Sequence, residues 1–88
     1  MTGKREEAMI PKTRKAAIAM LVEQDVAKWG ENERAASRRA HGHKTIGLAL
    51  NTLAARAQLS DADGWPELRA AAEENLTDAD WSSLRDGG

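Results

Sequence analysis

Apolar residues along this chain recur at the three- and four-residue spacing of α-helices, and no segment alternates apolar and polar residues as a strand would. Short turns rich in glycine, aspartate or serine separate the periodic stretches. The pattern therefore predicts an all-α fold, a small bundle of four to five helices. We place the helices at about 11–29, 33–41, 44–59, 66–75 and from 77 to near the end of the chain.

The ends of these helices carry recognisable signals. Pro11 suits a first helical position, since its missing N–H would have no partner there, and Gly30 suits a left-handed helix end. Asn32 is the expected N-cap of the second helix. Thr77 and Asp80 have the spacing of a capping box, so a helix should start at Thr77.

The helix predicted over 44–59 is apolar around most of its circumference. Ile46, Leu50, Leu53 and Ala57 form one row along it, and Gly47 would allow a neighbouring helix to approach closely. We therefore expect this helix to lie at the centre of the bundle. The bulkiest core side chains would be those of the tryptophans, Trp29, Trp65 and Trp81.

Composition limits the size of this fold. The chain has 88 residues, 41% of them hydrophobic, and no cysteine. We expect one helical domain over 10–86, preceded by a flexible N-terminus over 1–9. Because alanine supplies much of the apolar content, the core is thin, and pairing with a second copy to form a homodimer would cover the remaining apolar face.

The chain opens without the apolar stretch of a secretory signal, and no segment has the roughly 20 apolar residues of a membrane span. We therefore expect a cytoplasmic protein without a membrane partner. The absence of cysteine agrees with that compartment.

Charge is strongly segregated along the sequence, although the formal net charge is only −1. Residues 1–60 hold 11 Lys and Arg against 6 Asp and Glu, a net charge of +5, whereas the remainder holds 2 against 8, a net charge of −6. The cations of the first part form two clusters, one at the start of the first helix and one at the end of the second. The candidate binding residues are Lys12, Arg14, Lys15, Arg34, Arg38, Arg39 and Lys44.

Such cations can neutralise phosphates and release counterions without recognising a base sequence. The first interpretation is therefore a small nucleic-acid-associated regulatory protein of bacterial or phage type. One alternative is a protein-binding adaptor or inhibitor, such as an antitoxin or a phage protein directed at a host complex. A second alternative is a structural or assembly subunit, and a simple solvated basic face would also account for part of the pattern.

The second and third helices, joined at His41-Gly42-His43, have the layout of a helix-turn-helix. The third helix is too apolar to face DNA, and Arg38 stands where a small buried residue would normally seat the second helix of that motif. The sequence therefore favours contacts with the phosphate backbone over recognition of bases by this helix.

Neither catalysis nor a metal site is indicated. The serines, the two histidines and the acids show no arrangement of nucleophile, base and orienting group, and no glycine-rich phosphate loop occurs. His41 and His43 alone do not make a zinc site. We expect no enzyme activity, cofactor, metal or small-molecule substrate.

Asp25 lies in the apolar arc of the first helix, between Leu21 and Trp29. A buried carboxylate requires a partner, because leaving it unpaired costs several kcal/mol. We expect Asp25 either to pair with an Arg or His of the second or third helix or to lie at the solvent-facing edge of the core.

Overall fold

The computed structural model describes residues 10–30 and 32–87, and in this part of the chain it contains five α-helices and no strand. These are α1 (Arg14–Trp29), α2 (Glu33–Ala40), α3 (Ile46–Leu59), α4 (Trp65–Asn75) and α5 (Asp78–Gly87). The prediction of an all-α bundle is confirmed. The predicted flexible segment 1–9 lies outside the described residues.

The start of α1 differs from the prediction, because the helix begins at Arg14 and Pro11 precedes it. Thr13 is the N-cap, with extended backbone and with its side-chain oxygen accepting a hydrogen bond from Ala16 N at 3.1 Å. The other end agrees with the sequence, since Gly30 has φ +67° and donates its N–H to Val26 O. A threonine hydroxyl therefore sets the start of the helix, and the proline lies outside the helix, before this cap.

Side chains cap α2 and α3 as well. Asn32 Oδ1 accepts from Ala35 N at 2.8 Å, which confirms the predicted start of α2. Thr45 caps α3 in the same way, so this helix begins two residues later than the predicted position 44. Each cap satisfies a first-turn N–H that would otherwise have no partner within the helix.

The helix α3 lies at the centre, packing against α4 on one side and α1 on another, while α2 packs against α1. The core consists of small and aliphatic side chains contributed by the first four helices, namely Ala17, Ile18, Leu21, Ala40, Ala49, Leu50, Leu53 and Ala72. The predicted central position of this apolar helix is confirmed.

The tryptophans do not form the core that the sequence predicted. Trp29 is 65% exposed, Trp81 is 45% exposed, and Trp65 is only half-buried. The largest fully buried apolar side chains are instead Leu21, Leu50 and Leu53. Alanines bring the helix backbones close together, and the space left between them suits a leucine better than an indole.

Gly47 is the position of closest approach between α3 and α4. A Cβ at this residue would lie 2.6 Å from the carbonyl oxygen of Asn75 and 2.9 Å from the Cα of Leu76. Both neighbours are backbone atoms at the end of α4, so they cannot move aside as a flexible side chain could. The absence of a side chain at Gly47 therefore allows the two helices to pack at this distance.

The capping box predicted at the start of α5 is present. Asp80 N donates to Thr77 Oγ1 and Thr77 N donates to Asp80 Oδ2, each at 3.1 Å. The same Oδ2 also accepts from Thr45 Oγ1 at 3.0 Å, and Asp80 is 4% exposed. One buried carboxylate thus joins the N-terminus of α5 to that of α3, which matters because α5 has no extensive backbone contact with another helix.

We predict that Gly47→Ala lowers the free energy of unfolding by about 1–3 kcal/mol, because the added methyl group overlaps the backbone of α4. Thermal or urea denaturation monitored by circular dichroism measures the change. Helix propensity alone predicts the opposite sign, a gain of up to about 1 kcal/mol for alanine over glycine. An unchanged or raised melting temperature would therefore contradict the close packing described above.

Candidate functional site

The two predicted basic clusters meet in space, because the start of α1 lies against the end of α2. Arg14 Nε donates to the carbonyl oxygen of His43 at 2.9 Å, and its Nη2 donates to that of His41 at 3.1 Å. The guanidinium of the first cluster thus binds the backbone of the second. These contacts place α1 and α2 side by side in opposite directions.

The last turn of α2 is capped by its own basic residues. His41 Nδ1 donates to the carbonyl oxygen of Ser37 at 2.7 Å, and His43 Nδ1 donates to that of Ala40 at 2.9 Å. Since a carbonyl oxygen only accepts, each Nδ1 carries a proton. In a neutral ring, His43 Nε2 then accepts from the hydroxyl of Thr52, 2.9 Å away on α3. Both histidines therefore have a structural role at this helix end.

The position of Arg14 explains why the sequence places a cation at the start of α1. The dipole of α1 is unfavourable to a positive charge at this end. The charge of Arg14 lies at the C-terminal end of α2, where the helix dipole favours a cation. The guanidinium is half-buried, and its fork of N–H donors binds two carbonyl oxygens at once. Arg14 is consequently a packing residue that the sequence had grouped with the binding candidates.

Asp25 is 1% exposed and pairs with cations of two other helices, as the sequence predicted. Arg39 Nη1 of α2 donates to Oδ2 at 3.4 Å. Arg56 Nη1 of α3 lies 3.0 Å from Oδ1, an ion pair without hydrogen-bond alignment, and donates its hydrogen bond to Gln24 Oε1 at 3.0 Å. Three helices therefore share one buried carboxylate, and the group of two guanidiniums and one carboxylate keeps a net positive charge.

The remaining candidate residues, Lys12, Lys15, Arg34, Arg38 and Lys44, are all exposed. None of them forms an ion pair with another of the described residues, where acids pair only with Arg39, Arg56 and Arg69. Arg34 and Arg38 lie one turn apart on α2, on the side opposite its buried Ala36 and Ala40. We call these five residues the basic patch.

Acidic side chains dominate the last two helices, α4 and α5. Over residues 61–87 there are eight Asp and Glu and two Arg. Asp80 has the capping role already described, and Glu73 pairs with Arg69 at 3.2 Å on the exposed face of α4. The acids of α4 thus lie on the helix that packs against α3, whereas Asp80 at the start of α5 lies beside Thr45, the neighbour of Lys44 in the basic patch.

One face of α3 is covered by its neighbours. Five of its residues are buried between α1 and α4, namely Gly47, Ala49, Leu50, Leu53 and Ala54. A helix that enters the major groove of DNA must present a free face with polar side chains to the base edges. The buried face of α3 is therefore not available for contact with DNA.

An open groove of about 880 Å³ runs between the end of α1, the end of α3 and the start of α4. Trp29 and Leu59 line this groove, and they are 65% and 90% exposed. Lys28 Nζ lies 5.6 Å from the centre of the Trp29 ring, within cation–π range. Trp29 and Leu59 are the most exposed large apolar side chains of the described residues.

No group of three or more His, Asp or Glu side chains suited to a metal ion occurs among the described residues. In the same part of the chain, no helix combines the length and apolar character needed to cross a membrane. No family model, curated protein or solved structure matches this chain. The assignment of function therefore rests on the geometry described above.

We predict that Asp25→Asn lowers the free energy of unfolding by about 1–3 kcal/mol, because a neutral amide cannot balance the two guanidiniums. The loss stays below that of a fully buried pair, since the side chains of Arg39 and Arg56 are 54% and 34% exposed and can be hydrated. Urea denaturation measures it. Glu73→Gln is the matched control, because it breaks an exposed pair worth about 0.3–0.5 kcal/mol. Equal losses for the two variants would argue against a structural role for Asp25.

We also predict that Arg14→Met lowers the free energy of unfolding by about 1–3 kcal/mol, through the loss of two charge-assisted hydrogen bonds. Lys12→Met removes the same charge from an exposed side chain that lies outside the helix, so its stability should stay close to that of the parent protein. Thermal denaturation of both variants at one salt concentration makes the comparison. If the two variants lose the same stability, the contacts of Arg14 with α2 contribute nothing.

Proposed function

We propose that the protein binds the phosphate backbone of double-stranded DNA through the basic patch, as a small nucleic-acid-associated regulatory protein. The observation that carries the proposal is the exposure of Lys12, Lys15, Arg34, Arg38 and Lys44 without an ion pair to any other described residue. Cations that the fold leaves unneutralised remain available to phosphates. Arg14 and Arg39 add their charge to the region, although their side chains serve the packing of the helices.

The type of contact follows from the position of the helices. The patch lies on α2, on the connection that follows it and around the start of α1, whereas the apolar face of α3 is covered by α1 and α4. Lys and Arg at the surface bind phosphates, which carry no information about sequence. We therefore expect binding to be driven by counterion release and to show little base preference.

The separation of charge gives the proposal a geometric consequence. Phosphates attract the basic patch and repel the acidic side chains of α4 and α5. The charge asymmetry therefore orients the protein during encounter, with the basic patch towards the duplex.

We predict micromolar binding of generic duplex DNA at low salt, measured by fluorescence anisotropy. If about four of the five patch residues contact phosphates, the slope of log K against log salt concentration should be about −4. The double variant Arg34→Gln, Arg38→Gln should reduce the magnitude of that slope by about 2 and weaken binding by at least about tenfold at low salt. These two residues face solvent on α2, so the variant should keep the fold.

The control is the double variant Arg69→Gln, Arg85→Gln, which changes the net charge by the same amount on α4 and α5. It should bind DNA as the parent protein does. Equal weakening by both pairs would mean that net charge alone matters, and the basic patch would not be the binding site. Absence of binding at 50 mM salt, where the Debye length is about 14 Å, would overturn the proposal. It would favour instead a protein partner at the groove lined by Trp29 and Leu59.

A further inference from the structure

A second open groove lies between α1 and α2, with a volume of about 780 Å³. Ala19, Val22 and Val26 of α1 form its apolar side, and Val26 is 37% exposed. Ala19 and Val26 are exposed, whereas Val22 is half-buried and packs against the edge of the core. The surface that these three residues leave exposed forms an apolar strip along the groove.

The strip has the spacing of a helix–helix interface. Lys15, Ala19, Val22 and Val26 follow one another at intervals of four, three and four residues. This alternation of three- and four-residue steps is the one that forms the seam of a coiled coil. An α1 helix from another molecule could therefore pack along this line with its own copy of the same residues.

The charges at the ends of the groove determine the direction of that second helix. Lys15 and His41 lie at one end, near the start of α1 and the end of α2. Glu33 lies at the other end, at the start of α2, since α1 and α2 run in opposite directions. A second copy rotated by 180° brings Lys15 of each molecule to Glu33 of the other, so the surface is complementary to itself.

We propose that this groove is a self-association surface, on which a second copy packs its α1 antiparallel to the first around a two-fold axis. The apolar contacts come from Ala19, Val22 and Val26, and the flanking contacts from Lys15 and Glu33 of opposite molecules. Lys15 is then engaged in the dimer, and the remaining four residues of the basic patch are available to phosphates. The interface is small, so the dimer should form in the micromolar range.

Glu23 provides an internal check on this geometry. It lines the groove close to the middle of the apolar strip, where the two-fold axis brings it near its own copy. Two carboxylates at this position repel each other, which weakens the dimer at neutral pH. Glu23→Gln removes the repulsion without changing the size of the side chain, so this variant should tighten self-association.

Analytical ultracentrifugation of the full chain over a range of concentrations tests the proposal. Val26→Glu should weaken the dimer by at least about tenfold, because it buries a carboxylate in the apolar strip. Leu59→Glu is the matched control, since Leu59 is 90% exposed in the other groove, and it should leave the dimer unchanged. A parent protein that stays monomeric up to millimolar concentration, or a dimer lost with Leu59→Glu but kept with Val26→Glu, would overturn the proposal.

A charge exchange tests the antiparallel direction. Lys15→Glu and Glu33→Lys, each alone, put like charges at both ends of the interface and should weaken self-association. An equimolar mixture of the two variants restores opposite charges at both ends, so a mixed dimer should form with about the affinity of the parent. Circular dichroism of each variant serves as the control for correct folding. Failure of the mixture to associate, with both variants folded and the parent dimeric, would contradict the antiparallel arrangement.

Discussion

The buried carboxylate of Asp25 imposes the main constraint on this small bundle. It is 1% exposed, and a charge at that depth persists only with cations beside it, which Arg39 of α2 and Arg56 of α3 supply. Because the core consists of leucine, isoleucine and alanine side chains from helices of 16 residues or fewer, apolar contact alone specifies the helix positions weakly. The shared carboxylate fixes α1, α2 and α3 relative to one another, and the exposed face of α2 follows from that arrangement.

The same arrangement divides the basic residues into two groups with different tasks. Arg14, Arg39 and the two histidines satisfy backbone carbonyls or the buried acid, so they hold the end of α2 in place. Arg34 and Arg38 are exposed on the helix that is held in this way, and Lys44 is exposed in the connection that follows it. Cationic side chains on a fixed helix lose less conformational entropy on binding than cationic side chains on a mobile loop. This is the physical basis on which the DNA-binding proposal rests.

Small residues allow the helices to approach closely, and they also determine what remains exposed. Gly47 admits the backbone of α4, and the alanines of α1, α2 and α3 leave little space for large rings. As a consequence Trp29 and Trp81 lie at the surface, and Val26 remains exposed beside the α1–α2 groove. Apolar surface left outside such a thin core is available for contacts with other molecules, including the second copy proposed above.

The sequence by itself determined the all-helical fold and most of the helix ends, and it gave a cation of α2 or α3 as one of two outcomes for Asp25. Local capping chemistry at Asn32, Gly30 and Thr77 and the periodicity of apolar residues act over a few positions, so they can be recognised without the fold. Only the tertiary structure decided that Arg14 binds α2 rather than a ligand, that Asp80 reaches Thr45, and that the tryptophans lie outside the core. The contacts of Arg14 and Asp80 join residues that are 27 to 35 positions apart in the sequence. The spacing of residues along one helix carries no information about which helix surfaces come into contact.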